Sequence, residues 1–154
     1  MKLMNIHISA LSLLLVLAVP ATAQDNNSGK SEFRRIEHNA FGVGEHLTYD
    51  VNYGFVTAGV AYMTIPRYST MKGRKCYHID FRVRSTSFFD ALYYVRDRYQ
   101  SHIDVEGLFP WKFVQRIREG GFKYDFSAWF DNHRNKAFTK DGVYDVPAYT
   151  QDVV

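Results

Sequence analysis

Tyr77-His78-Ile79-Asp80-Phe81-Arg82-Val83-Arg84 decides the fold. Tyr77, Ile79, Phe81 and Val83 alternate without a break with His78, Asp80, Arg82 and Arg84. A period of two belongs to a β-strand, whose successive side chains point to opposite faces, one of them toward a core. The same rhythm occurs upstream, where Leu47, Tyr49, Val51 and Tyr53 alternate with His46, Thr48, Asp50 and Asn52. Downstream it returns through Tyr99, Ser101, Ile103 and Val105, and again through Phe122, Tyr124, Phe126, Ala128 and Phe130.

Between these runs lie turn signals. Gly54 separates the first strand from a second over residues 55–65, which Pro66 is expected to end. Gly59 within it reads as a bulge or a point of close backbone approach. Lys72-Gly73-Arg74 leads into the third strand, Glu106-Gly107 ends the fourth, and Gly120-Gly121 marks a hairpin between the fifth, opening at Pro110, and the sixth. Asp131-Asn132 and Asp141-Gly142 punctuate two further short candidates, over residues 135–139 and 143–149. Ser87, Phe88, Phe89, Leu92 and Tyr93 fall at helical spacing behind a residue suited to an N-cap, so one short helix is expected between Phe88 and Tyr94. The fold class is therefore all-β and mainly antiparallel: a curved meander sheet or partly open barrel, with that helix as its cover.

The aromatic count, 11 Tyr, 12 Phe and 2 Trp, suits a pleated, half-buried surface. Cys76 is the only cysteine, so an intramolecular disulfide is excluded, and a small buried thiol is expected there. A formal net charge of +3 is too slight to indicate a nucleic-acid partner.

The N-terminus gives an address. Lys2 precedes an apolar run from Ile8 to Val19, then Pro20 and the small residues of Ala21-Thr22-Ala23. This pattern is a secretory signal peptide over residues 1–23, with cleavage between Ala23 and Gln24. The run is too short to be a membrane-spanning helix, which needs about 20 apolar residues. Residues 24–40 read as a flexible leader, and residues 41–154 as a single β domain.

Phe41-Gly42-Val43-Gly44-Glu45, followed by Leu47-Thr48-Tyr49-Asp50-Val51 and Ala58-Gly59-Val60-Ala61, resembles the opening of the exported bacterial proteins grouped as the domain of unknown function 3108 family. Asp97, Ser101, Asp104, Gly107-Leu108, Pro110 and the closing Tyr149-Thr150-Gln151-Asp152 follow in that family's order. The motifs are glycines, aromatics and turn residues, with no catalytic signature. The resemblance implies association with the Gram-negative envelope, in the periplasm or at the outer membrane. It also implies a domain that continues past Gln151-Asp152, so the chain reads as a truncated member, incomplete at its C-terminus.

No nucleophile elbow, P-loop or dinucleotide fingerprint is present, so no cofactor is expected. His38, His46, His78, His102 and His133 lack metal-ligand spacing, so no metal is expected either. Glu45, Asp50, Asp80, Asp97, Asp104 and Asp125 include no pair that sequence can place across a cleft. Two features remain. Tyr49, Tyr53, Tyr77, Phe81, Tyr99 and Tyr124 share the apolar flank, where Phe81 and Tyr124 read as core, and that flank offers a place for an acyl chain. Arg82 and Arg84 share a strand face, as do Arg96 and Arg98, and Lys112, Arg116 and Arg118, forming a basic rim suited to anionic headgroups. The expected function is non-catalytic binding of a lipid or other amphipathic envelope ligand. The alternatives are a protein-interaction or structural module pairing through a sheet edge with an envelope protein, and a glycan hydrolase with an unidentified carboxylate pair.

Overall fold

A computed structural model describes residues 33–154. The signal peptide, its Ala23–Gln24 cleavage point and the first part of the leader lie outside the described residues. Eight strands form one antiparallel sheet in sequence order, not closed into a barrel: β1 (His46–Tyr53), β2 (Val56–Met71), β3 (Arg74–Ser85), β4 (Arg96–Asp104), β5 (Pro110–Glu119), β6 (Phe122–Asp131), β7 (Lys136–Thr139) and β8 (Gly142–Asp145). Every connection joins neighbouring strands, as a meander read from alternation and turns requires.

Two strand boundaries differ from the sequence reading. Pro66 does not end β2. It sits in a register irregularity between Thr64 and Arg67, where a missing N–H costs no ladder bond. There the N–H of Gly44 donates to the Ile65 carbonyl, and the Ile65 N–H donates to Glu45, at 2.9 and 3.0 Å. At the other end, strand structure stops at Asp145, and residues 146–154 run on without further strand. Gly59 is a close approach, since a Cβ there would lie 2.8 Å from the Arg84 carbonyl oxygen.

The helix forms where expected, as α1 (Ser87–Asp90), but it is not a cover. None of its residues is buried, and Phe88 and Leu92 are among the exposed apolar side chains. The sheet's apolar face is covered instead by the two ends of the described chain. Ile65, Tyr77, Ile79 and Ile103 form one core cluster, with Phe41 packed on it. Phe113, Ala128, Phe130 and Ala137 form a second, with Val146 packed on it, and Val154 touches both. Cys76, Phe109 and Trp111 make a third with Phe33 and Tyr149. Residues 33–40 are thus docked rather than a free leader: Phe33 packs edge-on to Trp111 at 5.5 Å, and the Ile36 N–H donates to Glu106 at 2.8 Å. A small core cannot hide so wide an apolar face under one helical turn, so the termini supply the missing layer.

Both ends meet at the β4–β5 turn, which is organised by Asp104. This fully buried carboxylate accepts hydrogen bonds from Arg74 Nε at 2.5 Å and Nη2 at 2.8 Å, and from Trp111 Nε1 at 3.1 Å. It also accepts from the backbone N–H groups of Glu106 and Gly107, at 3.1 and 2.8 Å. Burial opposes its charge, but Arg74, Trp111 and the Gly107 N–H outweigh burial and hold the carboxyl below the usual carboxylate range. Gly107 admits no side chain, because a Cβ would fall 2.2 Å from the Phe109 ring. Arg34 then donates to the Gly107 and Leu108 carbonyls at 2.7 and 2.8 Å, and lies 4.4 Å over the Tyr149 ring. Leu108 and Tyr149 take left-handed backbone at φ 49° and 57°, a strained choice for such residues that the surrounding bonds hold in place.

The opposite, polar face carries a histidine pair, His78 buried and His102 half-buried. His78 and His102 stand in register on β3 and β4 with ring centroids 4.7 Å apart. Ser69 bonds His102 Nδ1 at 2.8 Å, and Gln100 bonds His78 Nε2 at 3.0 Å. Burial, reinforced by His78, Lys112 and Arg67, lowers the His102 pKa from 6.5 to about 4, and burial with Arg67 lowers that of His78.

Two predictions follow from this packing. Asp104→Ala is expected to cost about 3–5 kcal/mol in urea unfolding, as removal of one partner of a buried ion pair does; a loss below about 1 kcal/mol would deny Asp104 its central place. A second concerns pH. Below 6.5 the unfolded chain protonates His102, which stays neutral in the fold until about 4, and His78, whose folded value is also lowered, so the stability His102 contributes is complete above 6.5 and declines between those values. The slope approaches that of one proton per histidine, about 1.4 kcal/mol per pH unit. His102→Gln is expected to flatten that slope, and an unchanged slope would remove the histidine account.

Candidate functional site

Strand register sorts the candidate residues into rows. On the apolar face, Leu47, Met63, Phe81, Tyr99, Gln115 and Phe126 stand opposite one another across β1 to β6. Phe81 and Tyr99 have ring centroids 5.9 Å apart, and Tyr99 and Phe113 6.5 Å apart. Along β6, Phe122, Tyr124 and Phe126 stack face to face at 6.4 Å steps. The C-terminal segment covers part of this face: Ser101 donates to Asp152 at 2.5 Å, and burial holds the Asp152 carboxyl above its ordinary value. Beside that contact, Val153 leaves a cleft of about 370 Å³ against Phe81, Val83, Tyr99 and Gln115. Burial pushes the Tyr99 phenol up, assisted by the Asp97 charge, while Gln115 hydrogen-bonds to it. Beyond the cover, Leu47, Tyr49, Val51 and Phe122 are exposed.

On the polar face, Tyr62, Arg82, Arg98, Arg116 and Asp125 form one row across β2 to β6. In the next, Arg84 faces Arg96. Arg118 belongs to the same row, because the Arg98–Arg116 pair and the Val95–Glu119 bridge bracket it, and Lys123 faces Arg118 in turn. Asp80 takes the forks of two of these arginines, from Arg82 at 2.7 Å and Arg98 at 2.8 Å. Burial works against its charge, and the hydrogen bonds from Arg98 and Arg82 overcome it, holding the Asp80 carboxyl down to about 2. Arg96 pairs with Asp90 at 2.6 Å, and Arg118 with Asp125 at 2.8 Å. Arg84 donates to the Tyr62 hydroxyl at 2.9 Å and lies over that ring at 5.3 Å, making no ion pair among the described residues. A cleft of about 640 Å³ opens here, lined by Arg82, Arg84, Arg96 and Arg98, by Asp80 and Asp97, and by His46 and Tyr62.

The candidates read from sequence therefore divide. Tyr49, Tyr77, Phe81, Tyr99 and Tyr124 lie on one face, and Arg82, Arg84, Arg96 and Arg98 on the other, so the arginines do not rim the aromatic surface. Strict alternation dictates this separation. Tyr77 is buried core under Phe41, 5.3 Å away ring to ring, whereas Tyr53 is 79% exposed at the end of β1. Tyr124, expected as core, is 37% exposed, because the packed part of β6 is its far end, Ala128 and Phe130.

Cys76 is buried, and burial raises its thiol to about 11, which leaves it inert as a nucleophile. Burial and the neighbouring Asp97 carboxylate together raise the Glu119 carboxyl, to which the Tyr93 hydroxyl donates at 3.4 Å. Val153, Gln115 and Tyr62 escaped the sequence reading. Tyr62 was marked by its alternation with Ala61 and Met63, but nothing local places the tail beside Tyr99.

No curated protein and no solved structure matches the chain. A family model, Protein of unknown function (DUF3108), matches residues 48–154. The match runs to Val154 and does not show the truncation expected from the sequence. It takes in β2 to β8, the apolar cleft, all of the arginine cleft but His46, the Asp104 turn and the tail, and the chain belongs to the DUF3108 family.

Proposed function

We propose that this protein is an exported, non-catalytic component of the Gram-negative envelope, periplasmic or associated with the outer membrane, that binds a lipid or another amphipathic molecule on its apolar sheet face. The observation carrying this reading is the incomplete cover: the tail leaves an apolar cleft of about 370 Å³ beside Phe81, Val83 and Tyr99. Exposed Tyr49, Leu47 and Phe122 extend the same face beyond it. A cleft of that size, apolar with a few polar groups such as Gln115 and the Tyr99 hydroxyl, has the character of a small-ligand site. The signal-peptide pattern of residues 1–23 supports export. No helix among the described residues is long and apolar enough to cross a membrane.

A pyrene-labelled fatty acid is expected to bind saturably, and native mass spectrometry of protein taken from an envelope fraction is expected to show a retained small molecule. Gln115→Trp, which fills the cleft, is expected to weaken the probe by about tenfold or more, the effect of losing roughly 1.4 kcal/mol of contact, with little change in thermal unfolding. Undiminished binding by that variant would place the ligand elsewhere.

The interaction-module reading draws on β1, an outer strand whose residues are all exposed. Its free edge suits strand addition by a partner protein. A proline at Asp50 that abolishes a protein complex while leaving fatty-acid binding intact would favour this second reading.

A further inference from the structure

The arginine rows on the polar face work against the sheet that carries them. Arg82 faces Arg98, Arg98 faces Arg116, and Arg84 faces Arg96 on adjacent strands. Directly opposed side chains stand with Cβ atoms about 5 Å apart, and like charges so placed are destabilising. The local carboxylates do not balance them. Asp80 is shared by Arg82 and Arg98, Asp90 serves Arg96, and Asp125 serves Arg118. Arg84 makes no ion pair among the described residues: its hydroxyl and ring contacts are both with Tyr62, and its charge acts on Asp90 only through space. A face shaped only for solubility intersperses charges of both signs. Here four arginines gather around a recess whose wall holds two carboxylates, Asp80 and Asp97.

We propose that this cleft is a binding site for a phosphate group, separate from the apolar cleft on the opposite face. Asp80 binds Nε and Nη2 of both Arg82 and Arg98 and so fixes the two guanidinium planes. Their remaining N–H donors are left for a ligand, beside the Arg84 fork. A phosphate oxyanion accepts several such bonds at once, and planar arginine forks match its geometry better than ammonium groups do. The Tyr62 ring beneath Arg84 holds that side chain over the recess and supplies a hydroxyl at its wall. The same chemistry is presented by a soluble phosphomonoester and by a phosphorylated lipid headgroup.

The test compares Arg84→Gln with Lys72→Gln, which removes one positive charge at the β2–β3 turn, away from the cleft. Inorganic phosphate is titrated calorimetrically at low ionic strength, and vesicles of phosphatidic acid in phosphatidylcholine are titrated by flotation. Saturable phosphate binding that weakens about tenfold or more in Arg84→Gln, the worth of a charge-assisted hydrogen bond, and survives in Lys72→Gln supports the site with a soluble ligand. The same split seen only with vesicles supports it with a headgroup as the source. Absence of binding to both, or equal weakening in the two variants, overturns it. Arg84 makes no ion pair among the described residues and is exposed, so its replacement leaves the fold intact for the measurement, as unchanged thermal unfolding verifies.

Discussion

The buried Asp104 carboxylate is the constraint on which the rest of the molecule depends. A charge removed from water is tolerable only when fully paired and hydrogen-bonded. Arg74, Trp111 and two backbone amides meet that demand. In doing so they fix three things together: the start of β3, the β4–β5 turn and the entry of β5. The strained Leu108 and the side-chain-free Gly107 are consequences of wrapping a turn so tightly around one carboxylate. Onto this turn the N-terminal segment brings Arg34 and Phe33, and the C-terminal segment brings Tyr149 and Gln151. Without a rigid turn, neither segment has a fixed anchor, and the apolar face loses its cover.

The cover determines which surfaces are available for recognition. Because the tail meets Ser101, Tyr99 and the cluster from Phe113 to Ala137 but leaves Leu47, Tyr49 and Phe122 exposed, the apolar face is part core and part exposed surface. On the polar face His78 and Asp80 are buried within the sheet itself, with His102 half-buried beside them. The two clefts share strands β3 and β4 and are separated by the thickness of a single sheet.

Much of this architecture was legible in the residues. β1 coincides with the alternation from His46 to Tyr53, and β3 and β6 enclose the runs through Phe81 and Tyr124, because a half-buried strand leaves a periodic record. Gly59 was readable as a close approach, and Cys76 as a buried thiol. Three features were hidden for stated reasons. Pro66 ends most strands, and only the pairing of Ile65 with the Gly44–Glu45 loop allows β2 to pass through it. Residues 33–40 look like a polar leader, since Phe33 and Ile36 acquire partners only in three dimensions. The separation of arginines from tyrosines was implicit in the alternation itself, but a rim and an opposite face differ only once the sheet is known to be open.

The meander joins each strand to the next, while Arg34 and Tyr149 are bonded across 115 positions of chain. Neighbouring hairpins close short loops and assemble at little entropic cost, whereas the contact between the two ends waits until nearly everything between them is in place. Bonds formed after the rate-limiting step govern how long the native molecule persists rather than how quickly it appears. The clasp between Arg34 and Tyr149 is therefore expected to set the lifetime of the folded protein.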